Sequence, residues 1–337
     1  MSTPDYSIVV PIYNEAECLP ELIERLTALT ARLDGPSEVV LVDDGSQDQS
    51  YDLMLRAHET DPRFHVIQLS RNFGHQAALT AGLDHSRGRA VIAMDADLQD
   101  PPEVILDMAA RWREGFEVVH AMRIERQGET SSKKAFASLY YTMLRRLTDV
   151  DLPANVGDFR LVDRKALDAF KSLRENNRYV RGLFAWIGYR QTSVPYARAP
   201  RFAGTTKYPT RRMMKLGFDG IIGFSTVPLR AALRIGFALS LLSILAGLVA
   251  IVLKISGALA VPGWASLIVA ITFLGGIQLS TLGIMGEYLA RIHDEVRSRP
   301  LYLVREAHGV RPRSGADEQR LDLASVAPGP DDVTSHP

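Results

Sequence analysis

Tyr6-Ser7-Ile8-Val9-Val10-Pro11-Ile12, the polar Tyr13-Asn14-Glu15, and then Leu19, Leu22, Ile23, Leu26 and Leu29 at helical spacing decide the fold. A β-branched run, a short polar break and a 3.6-residue apolar period read as strand, loop and helix. The unit repeats. Residues 38–42 form a second strand ending on Asp43-Asp44-Gly45-Ser46, a helix follows to about His58, and residues 64–69, 90–94 and 117–122 read as further strands. Strands alternating with helices give an α/β class with a mostly parallel sheet covered on both faces. Ligands of such sheets bind beyond the carboxyl ends of the strands. The polar clusters fall there: Asn14-Glu15 after the first strand, Asp43-Asp44 after the second, and Asp95-Ala96-Asp97-Leu98-Gln99-Asp100 after the fourth.

The third cluster carries the most chemistry. Asp95 and Asp97 are two residues apart, so in extended chain their carboxylates project to one side and approach one cation. Oxygen ligands suit Mg²⁺ or Mn²⁺, and Mg²⁺ commonly takes one or two carboxylates plus substrate phosphates, which points to a nucleotide diphosphate donor. A lone Asp-x-Asp usually means a solvated acidic turn, but three polar clusters at successive strand ends weigh against that. No Gly-x-x-x-x-Gly-Lys-Ser/Thr element exists and no Gly-x-Gly-x-x-Gly opens the first helix, so neither a P-loop hydrolase nor a dinucleotide site is expected. Phosphates must then be held by metal and cations. The candidates are Arg123, Lys133, Lys134, Arg201 and Lys207, with Arg offering a bidentate fork and Lys a point charge.

Residues 231–253 and 264–285 are continuously apolar, each long enough at about 1.5 Å per residue to cross a hydrocarbon core of roughly 30 Å. Arg211, Arg212, Lys215, Arg230 and Arg234 precede the first span, Arg291, Arg297 and Arg299 follow the second, and only Lys254 lies between. That asymmetry predicts a multi-pass protein with the catalytic domain and both termini cytoplasmic. No charged segment followed by an early apolar stretch opens the chain, so no secretory signal is expected. Residues 210–224 place Met213, Met214, Leu216, Gly217, Ile221 and Phe224 among cations, the pattern of an interfacial amphipathic helix. Gly275, Gly276, Gly283 and Gly286 suit close helix packing, including that of a homo-oligomer. Lys plus Arg equals Asp plus Glu at 39 each, which argues against a nucleic-acid partner. Cys18 is the single cysteine and cannot pair within the chain, in keeping with a reducing compartment. After Ala307 the chain holds too few large apolar residues to order itself. The expected organisation is therefore a catalytic domain over 1–209, an interfacial region over 210–228, a transmembrane hairpin over 229–290, and a tail over 291–337 that is disordered after about 307.

Val9-Val10-Pro11-Ile12-Tyr13-Asn14-Glu15, Val42-Asp43-Asp44-Gly45-Ser46, Asn72-Phe73-Gly74 and Asp95-Ala96-Asp97-Leu98-Gln99-Asp100-Pro101-Pro102 together resemble the family 2 inverting glycosyltransferases of GT-A fold. Gly157-Asp158-Phe159-Arg160-Leu161, Lys207-Tyr208, two apolar spans, Gly286-Glu287-Tyr288 and Arg299-Pro300-Leu301-Tyr302 look like the polyprenyl-phosphate branch, which holds the bactoprenol glucosyltransferases and dolichol-phosphate mannose synthases. The resemblance implies Pro11, Tyr13 and Glu15 at the nucleotide pocket, with Val42 and Asp44 beside base and ribose. It implies Asp95, Ala96, Asp97 and Gln99 around the diphosphate, with Asp95, Asp97 and Gln99 at the metal and Asp97 most direct. Arg123, Arg201 and Lys207 match cations of the donor and acceptor phosphate region, and Lys133, Lys134 and Ser138 approximate the acceptor-phosphate site. The chain has Gly204-Thr205-Thr206-Lys207 where relatives often show Gly-x-Ser-Lys, a change that keeps the hydroxyl.

The implied reaction transfers one hexose with inversion from a nucleotide sugar, UDP-glucose ahead of GDP-mannose, to undecaprenyl or decaprenyl phosphate at the inner membrane, for modification of cell-envelope glycans. Asp97, Asp158, Arg201 and Lys207 are the implied catalytic group. A phosphate with second pKa near 6 is largely ionised at neutral pH, so Asp158 is expected to position substrate rather than abstract a proton. Transfer to a growing polysaccharide is the alternative, but the Gln-x-x-Arg-Trp element and further spans of such synthases are missing.

Overall fold

The computed structural model describes residues 3–124, 156–176, 178–198, 227–256 and 264–310. Strands β1 (Tyr6–Ile12), β2 (Ser37–Asp43), β3 (Phe64–Leu69) and β4 (Ala90–Ala93) alternate with helices α1 (Leu19–Arg32), α2 (Ser50–Thr60) and α3 (His75–His85). Then come α4 (Val104–Arg113), β5 (Val118–Arg123), β6 (Val156–Asp163), α5 (Arg164–Ser172), α6 (Val180–Trp186) and β7 (Gln191–Tyr196). Two long helices, α7 (Val227–Ile255) and α8 (Trp264–Val296), precede β8 (Val304–His308). One eight-stranded sheet forms in the order β7-β5-β6-β4-β1-β2-β3-β8. Strands β4, β1, β2 and β3 run parallel, as does the pair β5 and β7, whereas β6 is antiparallel to β4 and β5, and β8 to β3.

Alternation within β1 builds two cores, because successive side chains point to opposite faces. Tyr6, Ile8, Val10 and Ile12 face a cluster with Leu19, Leu22 and Leu26 of α1, Met54 of α2 and Met108 of α4. Val9 faces the other, with Leu79 and Leu83 of α3, Phe170 of α5 and Phe184 of α6. Each such side chain contributes about 1.5–3 kcal/mol on burial, which holds both helical layers to the sheet. Contact between α3 and β1 is close enough that a Cβ on Gly82 would lie 2.2 Å from Val9 Cγ1. Any larger residue there must push α3 off the sheet.

Two registers place the site. Strand β1 pairs with β2 so that Ile12 meets Asp43, which brings the loops after both strands together. Strand β6 pairs with β4 so that Ala93 meets Arg160, and extending that antiparallel register by two residues sets Asp158 level with Asp95.

The end of the chain returns to the sheet. Helix α8 continues through residues 286–296, well past the apolar span, and 304–308 join the sheet beside β3, with Leu69 opposite Val304 and Val66 opposite His308. Within the tail expected over 291–337, residues up to Val296 extend α8 and 304–308 form β8. A five-residue strand carrying Arg305 and Glu306 offers no period-two apolar signal. What holds it is the backbone edge that β3 would otherwise leave open. Helices α7 and α8 are long and apolar enough to cross a membrane. They expose Leu233 by 74%, Phe237 by 72% and Leu279 by 71%, far from the burial of a soluble core helix. The interfacial helix expected at 210–224, and Lys133, Lys134, Ser138, Arg201 and Lys207, lie outside the described residues.

Candidate active site

The loops after β1 and β2 are stitched together by their own polar groups. Asn14, at φ 53°, donates its N–H to Ser46 Oγ (3.0 Å), and its Oδ1 accepts from Gln47 N (2.8 Å). Glu15 N donates to Ser50 Oγ (2.9 Å) and Ala16 N to Asp48 Oδ2 (3.2 Å). Asp43 Oδ1 accepts from Ser46 N at 3.0 Å. Gly45 has φ 71°, and a Cβ there would sit 2.7 Å from the Arg71 carbonyl carbon, so this turn needs glycine. Buried Asp44 reaches across to the third loop, accepting from Phe73 N at 2.7 Å and Gly74 N at 2.9 Å. Burial pushes its carboxyl up, and those two backbone donors pull it partway back. Tyr13 and Glu15 sit at the mouth of this region, with Tyr13 36% exposed. Pro11 and Val42 pair across β1 and β2, and the Val42 side chain is wholly buried in the core, so any part it plays at a nucleotide passes through the backbone.

The acidic loop keeps the alternation that its sequence suggests. Asp95, Asp97 and Gln99 are partly exposed, while Ala96, Leu98 and Asp100 are buried. Leu98 adopts φ 55°, and Gln99 N donates to Asp97 Oδ1 at 3.2 Å. Behind the loop, Asp100 accepts from Tyr196 Oη (2.5 Å) and Arg123 Nη2 (3.3 Å), with Arg198 Nε at 3.5 Å. Arg123 also donates to Tyr196 Oη at 3.0 Å. Arg123, expected at a phosphate, forms an ion pair with Asp100 that braces the loop from its buried side.

Asp158 arrives from β6 and meets three basic side chains. Arg181, at the start of α6, grips it with both prongs, Nε to Oδ1 at 2.9 Å and Nη2 to Oδ2 at 3.0 Å. His75 Nε2, on the first turn of α3, lies 3.5 Å from Asp158 Oδ2 and 3.5 Å from Asp95 Oδ1. Buried Arg160 lies beneath, donating to the Gly157 carbonyl at 2.8 Å with its Nη2 3.5 Å from Asp158 Oδ1. Burial alone would raise the Asp158 carboxyl, but Arg181 and His75 reverse this and hold it well below the usual carboxylate range. Burial opposes charge on His75, and the bond to Asp158 with the charge of Asp95 outweighs it, pushing the imidazole up to about 9. Asp95 goes the other way: burial raises it, His75 offsets part of that, and Asp158, Asp100 and Asp97 add to the rise. Arg181 and His75 hold Asp158 ionised, and Asp95, pushed up, is the carboxylate of the cluster that is short of positive charge.

That shortage fits a divalent cation. Asp95 Oδ1 is a buried acceptor to which none of the described residues donates a hydrogen bond. Asp97 lies two residues on, and the side-chain donors are oxygens, the hard set that Mg²⁺ or Mn²⁺ prefers. Among the described residues no three His, Cys, Asp or Glu side chains are arranged to hold one metal ion, and substrate oxygens and water commonly supply the remaining ligands of such an ion.

His75 and Arg181 escaped the sequence reading, which quoted Asp100 in the acidic cluster without giving it a role. His75 follows Asn72-Phe73-Gly74 and begins a helix after Gly74 at φ 97°, a position whose meaning depends on the antiparallel β6. Arg181 opens a seven-residue helix with no polar pattern around it.

Comparison with known proteins bears on what such a cluster does. Residues 7–170 match the model of the glycosyl transferase family 2 domain. The Bacillus subtilis (strain 168) glycosyltransferase YkcC is 46% identical over 305 residues, spanning 90% of this chain and 94% of its own. This chain belongs to glycosyltransferase family 2. The glycosyltransferase is also 37% identical, over 306 residues, to the SfII prophage-derived bactoprenol glucosyl transferase of Shigella flexneri, spanning 91% of this chain and 99% of that one. Among solved structures, the mannosyltransferase PcManGT from Pyrobaculum calidifontis, in complex with GDP-Man and Mn²⁺, is 20% identical, with 88% of each chain covered and a TM-score of 0.46. Neither sugar nor metal carries across at that distance.

Proposed function

We propose that this enzyme transfers a single glucose from UDP-glucose, with inversion, to a polyprenyl phosphate such as undecaprenyl or decaprenyl phosphate, at the cytoplasmic face of the inner membrane. The observation that carries the reading is the meeting of a cation-seeking carboxylate cluster, Asp95 with Asp97 and Asp158, with two helices whose apolar side chains are turned outward. A water-soluble acceptor would need no such helices. The relative from Shigella flexneri, which this chain matches nearly end to end, is named for a bactoprenol acceptor and a glucosyl group. Segments on both sides of α7 and α8 contribute to one sheet, β1 to β7 before and β8 after, in keeping with a hairpin whose ends emerge on one side of the bilayer.

In this reading the loops after β1 and β2 receive the nucleotide, and Asp95 and Asp97 hold the ion against the diphosphate, with Gln99 beside them. A bound Mg²⁺ or Mn²⁺ supplies positive charge to the departing diphosphate. Asp158 serves no base function. A carboxylate held so far below neutral is a weak proton acceptor, and an ionised lipid phosphate needs none. Locked between Arg181 and His75, Asp158 instead presents a fixed anion to the sugar or the acceptor. Arg201, Lys207, Lys133, Lys134 and Ser138 complete the phosphate-binding set, and residues 210–228 lay the domain on the leaflet.

Membranes carrying the full-length enzyme, incubated with a panel of radiolabelled nucleotide sugars and undecaprenyl or decaprenyl phosphate, test this directly. A chelator-sensitive glucolipid from UDP-glucose is expected. A mannolipid from GDP-mannose would reassign the sugar, and a polymer or free sugar as the sole product would sink the acceptor.

A further inference from the structure

Helix α8 ends against the catalytic domain. Asn176, in the connection between α5 and α6, donates its backbone N–H to Glu295 Oε2 (3.0 Å) and its side-chain Nδ2 to the Asp294 carbonyl (3.1 Å). The same connection then runs into the site. Arg178 Nη1 donates to Thr80 Oγ1 at 3.1 Å and Val180 N to Gln76 Oε1 at 3.2 Å, both on α3, and Arg181 then grips Asp158. Gln76 is the neighbour of His75. Five positions along the chain therefore separate the residue that touches α8 from the residue that orients Asp158.

A second attachment follows α8 in sequence. Tyr302, in the Arg299-Pro300-Leu301-Tyr302 segment, donates its hydroxyl to Asp84 Oδ2 (2.9 Å) near the far end of α3. The Asp84 side chain is 1% exposed, and the same oxygen accepts from Arg174 Nη1 at 3.0 Å, so Tyr302 and the α5–α6 connection meet on one carboxylate. Beyond Tyr302, the Leu303 carbonyl accepts from Ser70 N at 2.9 Å and β8 joins β3. Helix α3 is thus held at its C-terminal end by the chain leaving α8 and carries His75 at its other end.

We propose that Tyr302 and Asn176 are positioning residues that index Asp158 and His75 to α8, so that the reacting groups keep a set height and angle relative to the membrane helices. This rests on the reading of α7 and α8 as a membrane hairpin and of the acceptor as a lipid phosphate. A hairpin serving only as an anchor needs no more than a flexible link to its domain. Here the link is a buried carboxylate and a strand. An eleven-residue helix transmits a shift at one end to the other over about 16 Å. A misplacement of about 1 Å at a reacting centre can cost on the order of a hundredfold in rate.

The test uses the full-length enzyme in phospholipid nanodiscs, as wild type, Tyr302→Phe and Asn176→Ala. Asn176→Ala keeps the backbone bond to Glu295 and sits at a half-buried loop position outside both cores, so it stays folded where Tyr302→Phe loosens the fold. Three quantities are read: amide hydrogen exchange over 75–85 and 304–308, affinity for UDP, and kcat on a bilayer-embedded long-chain polyprenyl phosphate against a short-chain water-soluble prenyl phosphate. In Tyr302→Phe, exchange over 304–308 and the second half of α3 should quicken by about tenfold. In both variants long-chain kcat should fall at least about fivefold, with UDP affinity and short-chain kcat within about twofold. Unchanged exchange in Tyr302→Phe, or equal loss on both acceptors, would overturn the proposal, the latter by reducing these contacts to stabilising ones. A wild type that uses neither prenyl phosphate would remove the acceptor reading, and the exchange data would then decide the clamp on their own.

Discussion

At the amino edge of the sheet Glu38 is buried and fully served: Ser7 Oγ and Arg87 N donate to Oε1 at 2.6 and 2.7 Å, and the Arg87 Nε and Nη2 atoms to Oε2 at 2.8 and 2.6 Å. At the carboxyl edge Asp95 is a carboxylate of similar chemistry whose Oδ1 accepts no hydrogen bond from the described residues and has a histidine nitrogen 3.5 Å away. Burial alone would raise Glu38, and the bonds from His65, Ser7 and Arg87 outweigh it to bring the group down to about 2, while Asp95 is pushed up. Glu38 gathers donors from Ser7, His65 and Arg87, whereas Asp95 faces His75 among the like charges of Asp158, Asp100 and Asp97, and these surroundings set the two apart. One edge spends its carboxylate on the fold; the other holds its carboxylate in a costly state that a cation can relieve.

The sharpest way to break that contrast is Glu38→Gln. The folded pKa of about 2 lies below the 4.5 of the free group, so the stabilisation is present above 4.5 and is lost as pH falls toward 2. At about 1.4 kcal/mol per unit this comes to roughly 3 kcal/mol. Thermal unfolding at a series of pH values should show a variant with lower Tm at neutral pH that converges on wild type near pH 2, with kcat close to normal; parallel curves would refute the assignment.

Replacing the opposite carboxylate should do the reverse. Asp95→Asn should leave Tm unchanged or raised, and Asp95→Asn and Asp97→Asn should each cut turnover by at least about tenfold, or 1.4 kcal/mol of barrier. A falling Tm with intact turnover would make Asp95 structural, like Glu38. Arg181→Lys keeps the charge and loses the fork, so a loss of about three- to tenfold in kcat with little change in donor KM is expected, and Arg181→Ala should lose more. Equal behaviour of the two would deny the bidentate grip a role. Smallest of all, Glu15→Gln should raise donor KM about threefold without changing kcat, and steady-state kinetics in which kcat alone falls would move Glu15 out of the nucleotide region.

The same contrast marks what could be read from the sequence. The parallel strands and the clusters at their ends are local: a β-branched run, a polar break and a helical period all sit within about thirty residues, and Asn14, Asp44, Asp95 and Asp97 fall where that pattern puts them. The partners of Asp158 are not local. His75 and Arg181 meet it only because β6 inserts antiparallel beside β4, a pairing that no short-range periodicity encodes. Arg123 was legible as a cation at a strand end, yet its engagement with Asp100 depends on Tyr196 from the strand at the far edge. Strand β8 was hidden for the same reason, since its identity lies in the edge it covers rather than in its own residues.

That covering strand also ties the order of synthesis to the order of assembly. A ribosome delivers β3 long before β8, with α7 and α8 emerging between them. The edge of β3 must wait, unpaired, until both apolar helices and the segment after them have been made. A chain that breaks off after α8 leaves that edge open, so closure of the catalytic sheet is coupled to completion of both long helices.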